Sequence, residues 1–282
     1  MVSSSNTNVS LTRRGPDSDP DEPERFYPTG VRNFVRVIAA DDFQIAAGAM
    51  LARQLGVKRP VSIFDTEYSR GSAQVFRSAA EKLGLDVAGV LDFRAHDPEP
   101  LLARIKRSRA DGVFFTGGDP DVIRALRGAL GSDVPILMTD AFSLSESARE
   151  LGPAGEGLRF TVAGVDPQGV SGARRKLIDR LREAVGEPHP YAVSAVQATE
   201  LLLDAIARSD GTRRSVISEL FASEARGGVL GDFSVTPAGD TTANQVTVYR
   251  IENGEPRLDR VLNPPLSLVV SSGPKAPDEA PS

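Results

Sequence analysis

The chain has 282 residues, 40% of them hydrophobic and 25% charged, with a formal net charge of -5, the make-up of an ordinary globular protein of one large or two modest domains. Mild acidity without a basic stripe excludes nucleic acid as the main partner and an anionic membrane surface as a docking site. The absence of cysteine excludes disulfides, thiolate nucleophiles and cysteine-based metal sites.

The first 15 residues, MVSSSNTNVSLTRRG, contain no apolar core of the signal-peptide kind. No run approaches the roughly 20 apolar residues that cross a bilayer, so direct membrane insertion is not expected. Residues 13–29 are rich in Pro, Asp and Glu and lack periodicity. They read as a long, flexible acidic loop, and their acids are not spaced as in an EF-hand.

From there strands and helices alternate. Strands are predicted over 34–38, 61–64, 87–93, 113–115 and 136–138. Helices are predicted over 41–55, with Asp41 as N-cap, then over 69–83, 98–109 and 120–130. Short β-rich runs between helices of 10–15 residues specify βαβ units, a parallel sheet and helices on both of its faces. After a strand at 158–163 the pattern changes to helices at 171–185, 191–208 and 213–222. The helix from Tyr191 carries Val193, Val196, Leu201, Leu203 and Ile206, and needs a surface to pack against. Strands return at 231–235, 246–251 and 257–261, the last two joined by Asn253-Gly254, a hairpin signal. Residues 271–282 read as a disordered tail.

Three segments fall where a strand passes into a helix, the place where open α/β sheets bind ligands. Gly117-Gly118-Asp119-Pro120-Asp121 reads either as a capped βα turn or as a backbone cradle for an anion. It is neither GxGxxG nor a P-loop. Asp65 to Gly71, with Tyr68 inside it, reads either as a capped surface loop or as a ligand-facing turn. Asp140, after Met138-Thr139, is either a helix cap or a carboxylate for a ligand ammonium. Successive strands bring all three to one rim. The two histidines, His96 and His189, read as surface loop residues. There is no HExxH, no GxSxG and no Ser/His/Asp set, so no catalytic or metal site and no cofactor is expected, and the chain reads as a non-enzyme.

The order of the pieces resembles the branched-chain amino-acid binding proteins of ABC importers, which have the type I periplasmic-binding fold. The resemblance runs from Ser3 to Thr12 (that family's ISPxxTNPxLT segment) through 34–42 (FFRTxPxDD). It continues through Asp65 to Gly71 with Ala79-Ala80-Glu81-Lys82-Leu83-Gly84, then 111–118 and Gly155-Glu156-Gly157-Leu158. It implies two α/β lobes closing on a solute, with doubly wound parallel sheets and the first lobe largely missing, because the chain begins inside the ISPxxTN segment. The expected divisions are a first-lobe remnant and acidic loop at 1–33, the second lobe at 34–163, first-lobe helices at 164–228, a return to the second lobe with a hairpin at 229–270, and the tail.

Residue by residue, the resemblance assigns ligand contacts to Ser5 and Thr7 of the TN segment, to Tyr68, although this chain reads YSRG in place of YGxG, and to Asp140. Gly118 follows as part of the GG pair. Asp119 stands where the family often has an aromatic, and the added acid points to a different or more cationic solute than leucine. The implied partners are a small amino-acid-like ligand and an ABC permease or a signalling partner, outside the cytoplasm for the full-length protein. Two other readings remain open, a ligand-sensing module of a signalling protein and a remnant that binds nothing.

Overall fold

A computed structural model describes residues 1–269 apart from 17, 94–97, 143–144, 171 and 187. The readings of His96 as a loop residue and of 271–282 as a tail lie outside the described residues. In chain order the elements are β1 (Val2–Ser3), β2 (Val35–Arg36), α1 (Asp41–Gln54), β3 (Pro60–Phe64), α2 (Glu67–Lys82), β4 (Gly89–Asp92), α3 (Glu99–Ser108), β5 (Gly112–Phe115), α4 (Pro120–Leu130), β6 (Ile136–Met138), α5 (Ser145–Glu150) and β7 (Arg159–Ala163). They continue with α6 (Arg175–Val185), α7 (Pro190–Arg208), α8 (Arg213–Phe221), β8 (Glu224–Gly228), β9 (Gly231–Ser234), β10 (Val246–Glu252) and β11 (Glu255–Leu262).

The larger lobe is built on a seven-stranded sheet in the order β11-β10-β7-β6-β5-β3-β4. β4, β3, β5, β6 and β7 run parallel. β10 and β11 add antiparallel at the edge, so the sheet is mixed rather than wholly parallel. The two-residue period divides each strand between two cores. Ile63, Phe115, Met138 and Phe160 face α3 and α4, while Phe114, Leu137 and Val248 face α1 and α2. Covered on both faces, these strands read as continuous apolar runs. Phe76 of α2 stacks on Phe114 with centroids 4.1 Å apart. The turn joining β10 to β11 has positive φ at both Asn253 (54°) and Gly254 (74°), the conformation of a primed hairpin turn.

The smaller lobe gathers α6, α7, α8 and the β8-β9 hairpin around Ile178, Val193, Leu201, Leu220 and Phe233. Its parallel pairing is two residues long, β1 beside β2, so of the strand expected over 34–38 only Val35 and Arg36 pair. Along α7, Val193, Leu201 and Ala205 are buried, whereas Leu203 and Ile206 stay exposed. The return to the large sheet expected at 229 is made at Val246 instead. β9 pairs with β8, and Val229, Leu230, Phe233 and Val235 are consumed by the smaller core. The segment 13–29 is not a free loop. Arg13 reaches Asp42 and Asp240, the Ser10 and Ser18 hydroxyls meet at 2.6 Å, and the Tyr27 hydroxyl donates to the Leu11 carbonyl.

Candidate functional site

The site follows from strand register. Ile63 is level with Phe115, and Phe115 with Met138, so Asp65, Thr116 and Thr139 leave the sheet on one rim. Thr116 fixes α2 there, its hydroxyl donating to the carbonyls of Ser69 and Ile63. The Thr66 side chain and Ser69 cap α2 reciprocally, which places Tyr68 in the first turn of the helix, 61% exposed. From the other side Arg36 positions the segment that carries Thr7. This guanidinium is wholly buried and donates to Asp240 (2.7 Å), the Asn6 and Asn8 carbonyls (3.1 and 2.8 Å) and the Thr12 hydroxyl (2.5 Å). A buried charge is tolerable when its donors are engaged in this way, here four of the five N–H groups.

Between these supports lies a cleft of about 170 Å³, lined among others by Thr7, Asp41, Gln44, Tyr68, Thr139 and Asp140. Two carboxylates face it. Asp41 was expected to cap α1, but Ala40 occupies the N-cap and Asp41 is the first helical residue. Its backbone N–H donates to the Thr7 carbonyl (2.9 Å), and its carboxylate accepts from the Tyr68 hydroxyl (3.0 Å). Burial raises the Asp41 carboxyl above its ordinary value and the charge of Asp140 adds to the effect, against hydrogen bonding from Thr7 and Tyr68. Asp140 opens a short 3-10 turn after β6. It accepts from the Gln44 amide (3.2 Å) and from the Tyr191 hydroxyl. Gln44 spends its other donation on the Thr161 carbonyl (2.7 Å), which fixes the amide plane. Burial first, and then Asp140, push the Tyr191 phenol upward, so it stays protonated as a donor.

Of the six residues singled out from sequence, Thr7, Tyr68 and Asp140 line this cleft. Ser5 is exposed, and its N–H turns back to the Ser3 hydroxyl. Gly118 donates its N–H to Asp65 (3.2 Å). A Cβ at the adjoining Gly117 would come within 2.1 Å of the same carboxylate, so Gly117 makes room for Asp65. Asp119 is exposed and caps α4, accepting from the Asp121 N–H (2.8 Å). His189 is a cap of α7 rather than a surface loop residue. Its Nδ1 accepts from the Tyr191 N–H, and burial lowers its pKa.

Sequence reasoning missed Asp41, Gln44 and Thr139 as cleft residues, and Tyr191 as the hydroxyl that donates to Asp140. Thr139 follows a strand and could have been found by the rule that found Asp140. Tyr191 lies 51 residues from Asp140, and no local signal connects them. Among the described residues no group of three or more His, Asp or Glu is placed to hold a metal ion.

Residues 23–256 match the profile of the periplasmic binding protein family. Among solved structures, a leucine binding protein of Thermotoga maritima superposes with a TM-score of 0.69 at 28% identity, covering 82% of this chain and 68% of that one. A solute binding protein of an ABC transporter from R. palustris, in complex with 4-hydroxybenzoate, gives 0.66 at 18% identity, covering 82% and 68%. A stretch of 69 residues is 38% identical to a diacylglycerol kinase of Mycobacterium tuberculosis, but spans only 24% of this chain and 22% of the kinase.

Proposed function

Because the chain belongs to the periplasmic binding protein family, we propose that it captures a small amino-acid-like solute by its ammonium group for an ABC importer, outside the cytoplasm. The observation that carries this reading is the cleft's pair of carboxylates, Asp41 and Asp140. The partners the structure gives them are hydroxyl and amide groups. A carboxylate has about four acceptor positions, so each retains capacity for a further N–H. An ammonium between them would neutralise their mutual repulsion and make charge-assisted bonds.

Binding by closure is the mechanism. The solute touches both lobes, Thr7 from the segment bound to β2 and Asp140 from the large sheet, and favours the closed form by its extra contacts there. The two structural relatives bracket the alternatives, one described as binding leucine and the other holding an aromatic carboxylate. Two acids facing the cleft oppose an anion that lacks an ammonium. A thermal-shift titration with leucine, its N-acetyl derivative and 4-hydroxybenzoate tests the reading. The free amino acid is expected to raise the melting temperature and the other two to leave it unchanged. A shift with 4-hydroxybenzoate alone would overturn it.

A further inference from the structure

Gln44 does more in the cleft than hold Asp140. It lies three residues after Asp41 on α1, on the same face of the helix, and both residues line the cleft. Its side chain is almost wholly buried, at 3% exposure. The two groups it meets, the Asp140 carboxylate (3.2 Å) and the Thr161 carbonyl (2.7 Å), can only accept. Both must therefore face the NH2 of the amide, which settles where its nitrogen and its oxygen lie. An amide NH2 has two N–H groups, and both are spent.

The oxygen of the amide is left over. Among the described residues none donates to it, yet it is not sealed in the core as the orphaned oxygens of Asp166 and Ser194 are. A side chain buried this deeply opens where it lines the cleft, so the oxygen looks into the cleft beside Asp140. The cleft thus offers three acceptors, the carboxylates of Asp41 and Asp140 and the amide oxygen of Gln44. A primary ammonium carries three N–H donors, and a secondary one carries two.

We propose that Gln44 is the specificity-determining third acceptor, so that the cleft takes solutes with a primary ammonium and discriminates against their N-methylated counterparts. This rests on the amino-acid reading of the cleft and adds to it the class of amine that fits. A secondary ammonium satisfies the two carboxylates and turns its methyl group toward the Gln44 oxygen. That oxygen is then cut off from water without a donor in exchange, which carries its full desolvation cost.

The test is calorimetric titration of the full chain with leucine, N-methylleucine and N,N-dimethylleucine, repeated on Gln44→Met, whose side chain is of similar length and has no amide. A hydrogen bond to a charged group is worth on the order of tenfold to a hundredfold in affinity. The first methyl is expected to weaken binding to the intact chain by about that factor. In Gln44→Met leucine is expected to weaken by a like factor while N-methylleucine changes little, so that the two Kd values converge. A merely structural role for Gln44 would weaken both solutes alike and leave their ratio unchanged. Should Gln44→Met fail to fold, the side-chain carbonyl carbon of Gln44 is followed by NMR in the intact chain, where its resonance is expected to move with leucine and to stay with N-methylleucine. N-methylleucine binding as tightly as leucine, a ratio kept in folded Gln44→Met, or a Gln44 carbonyl that leucine leaves unmoved overturns the proposal and leaves the cleft reading standing. No binding of any of the three solutes overturns both.

Discussion

Asp41 carries the conflict on which the site is built. Its carboxylate is held close to Asp140 in a desolvated place, which suits a cation and disfavours the folded chain without one. The folded-state pKa is raised above the ordinary 3.8. The contribution of Asp41 to stability is therefore fully present below 3.8 and is lost as the pH rises through the raised folded value. Asp41→Asn removes that loss. At pH 7 it is expected to gain on the order of 1 kcal/mol, seen as a melting temperature higher by roughly 2–4 °C, and the gain should shrink as the pH is lowered toward 4. The same variant should lose ammonium binding. Melting curves at pH 4 and 7, with and without solute, check both halves, and equal gains at the two pH values would contradict the assignment. Arg36 is the opposite case. Arg36→Met leaves Asp240 and two carbonyls without their buried donor, and is expected to cost about 3–5 kcal/mol in denaturant unfolding.

At the scale of elements, two helices against one sheet face set the position of Asp41 and Tyr68. The approach is close because α1 carries Gly48, where a Cβ would come within 2.3 Å of the Phe114 ring. Phe114 cannot move aside, since Phe76 is stacked on it. Gly48→Ala should gain helix propensity yet lose more to overpacking, for a net destabilisation of about 1–3 kcal/mol read from chemical denaturation. A neutral or stabilised variant would show that α1 can shift.

The larger lobe was legible in the sequence because its strands are buried on both sides, and Val61-Ser62-Ile63-Phe64 or Val113-Phe114-Phe115 stand out against their polar flanks. β8 was not, since Glu224-Ala225-Arg226-Gly227-Gly228 is largely solvated and has neither an apolar run nor an alternation. β1 is two residues long and is defined by its partner β2 rather than by its own composition. Within the site, what sequence marks is the strand end. That rule reaches Tyr68 and Asp140, but it also takes in Gly118 and Asp119, whose turn serves Asp65 and the cap of α4. Contacts formed across the fold, such as Tyr191 with Asp140, leave no local trace.

On the scale of the whole molecule, Tyr191 is the point where α7 of the smaller lobe reaches the rim of the large sheet. Its ring packs against the buried Phe43 and Ala163 group, and its hydroxyl donates to Asp140. A solute held by Asp140 is therefore coupled to the placement of α7. Tyr191→Phe keeps the packing and removes the donor. It should raise the solute Kd by about tenfold, a loss of about 1.4 kcal/mol, at a cost to stability of about 1–2 kcal/mol. An unchanged Kd would place closure elsewhere.

The claim on which the rest depends is that Asp140 and Asp41 together hold a solute's ammonium. Its most direct test is calorimetric titration of the intact chain and of Asp140→Asn with aliphatic amino acids at pH 7, beside 4-hydroxybenzoate. The account predicts saturable binding of an amino acid to the intact chain, its loss by a hundredfold or more in Asp140→Asn, and no heat from 4-hydroxybenzoate. Amino-acid binding that survives in Asp140→Asn, or binding of 4-hydroxybenzoate in place of an amino acid, would contradict it.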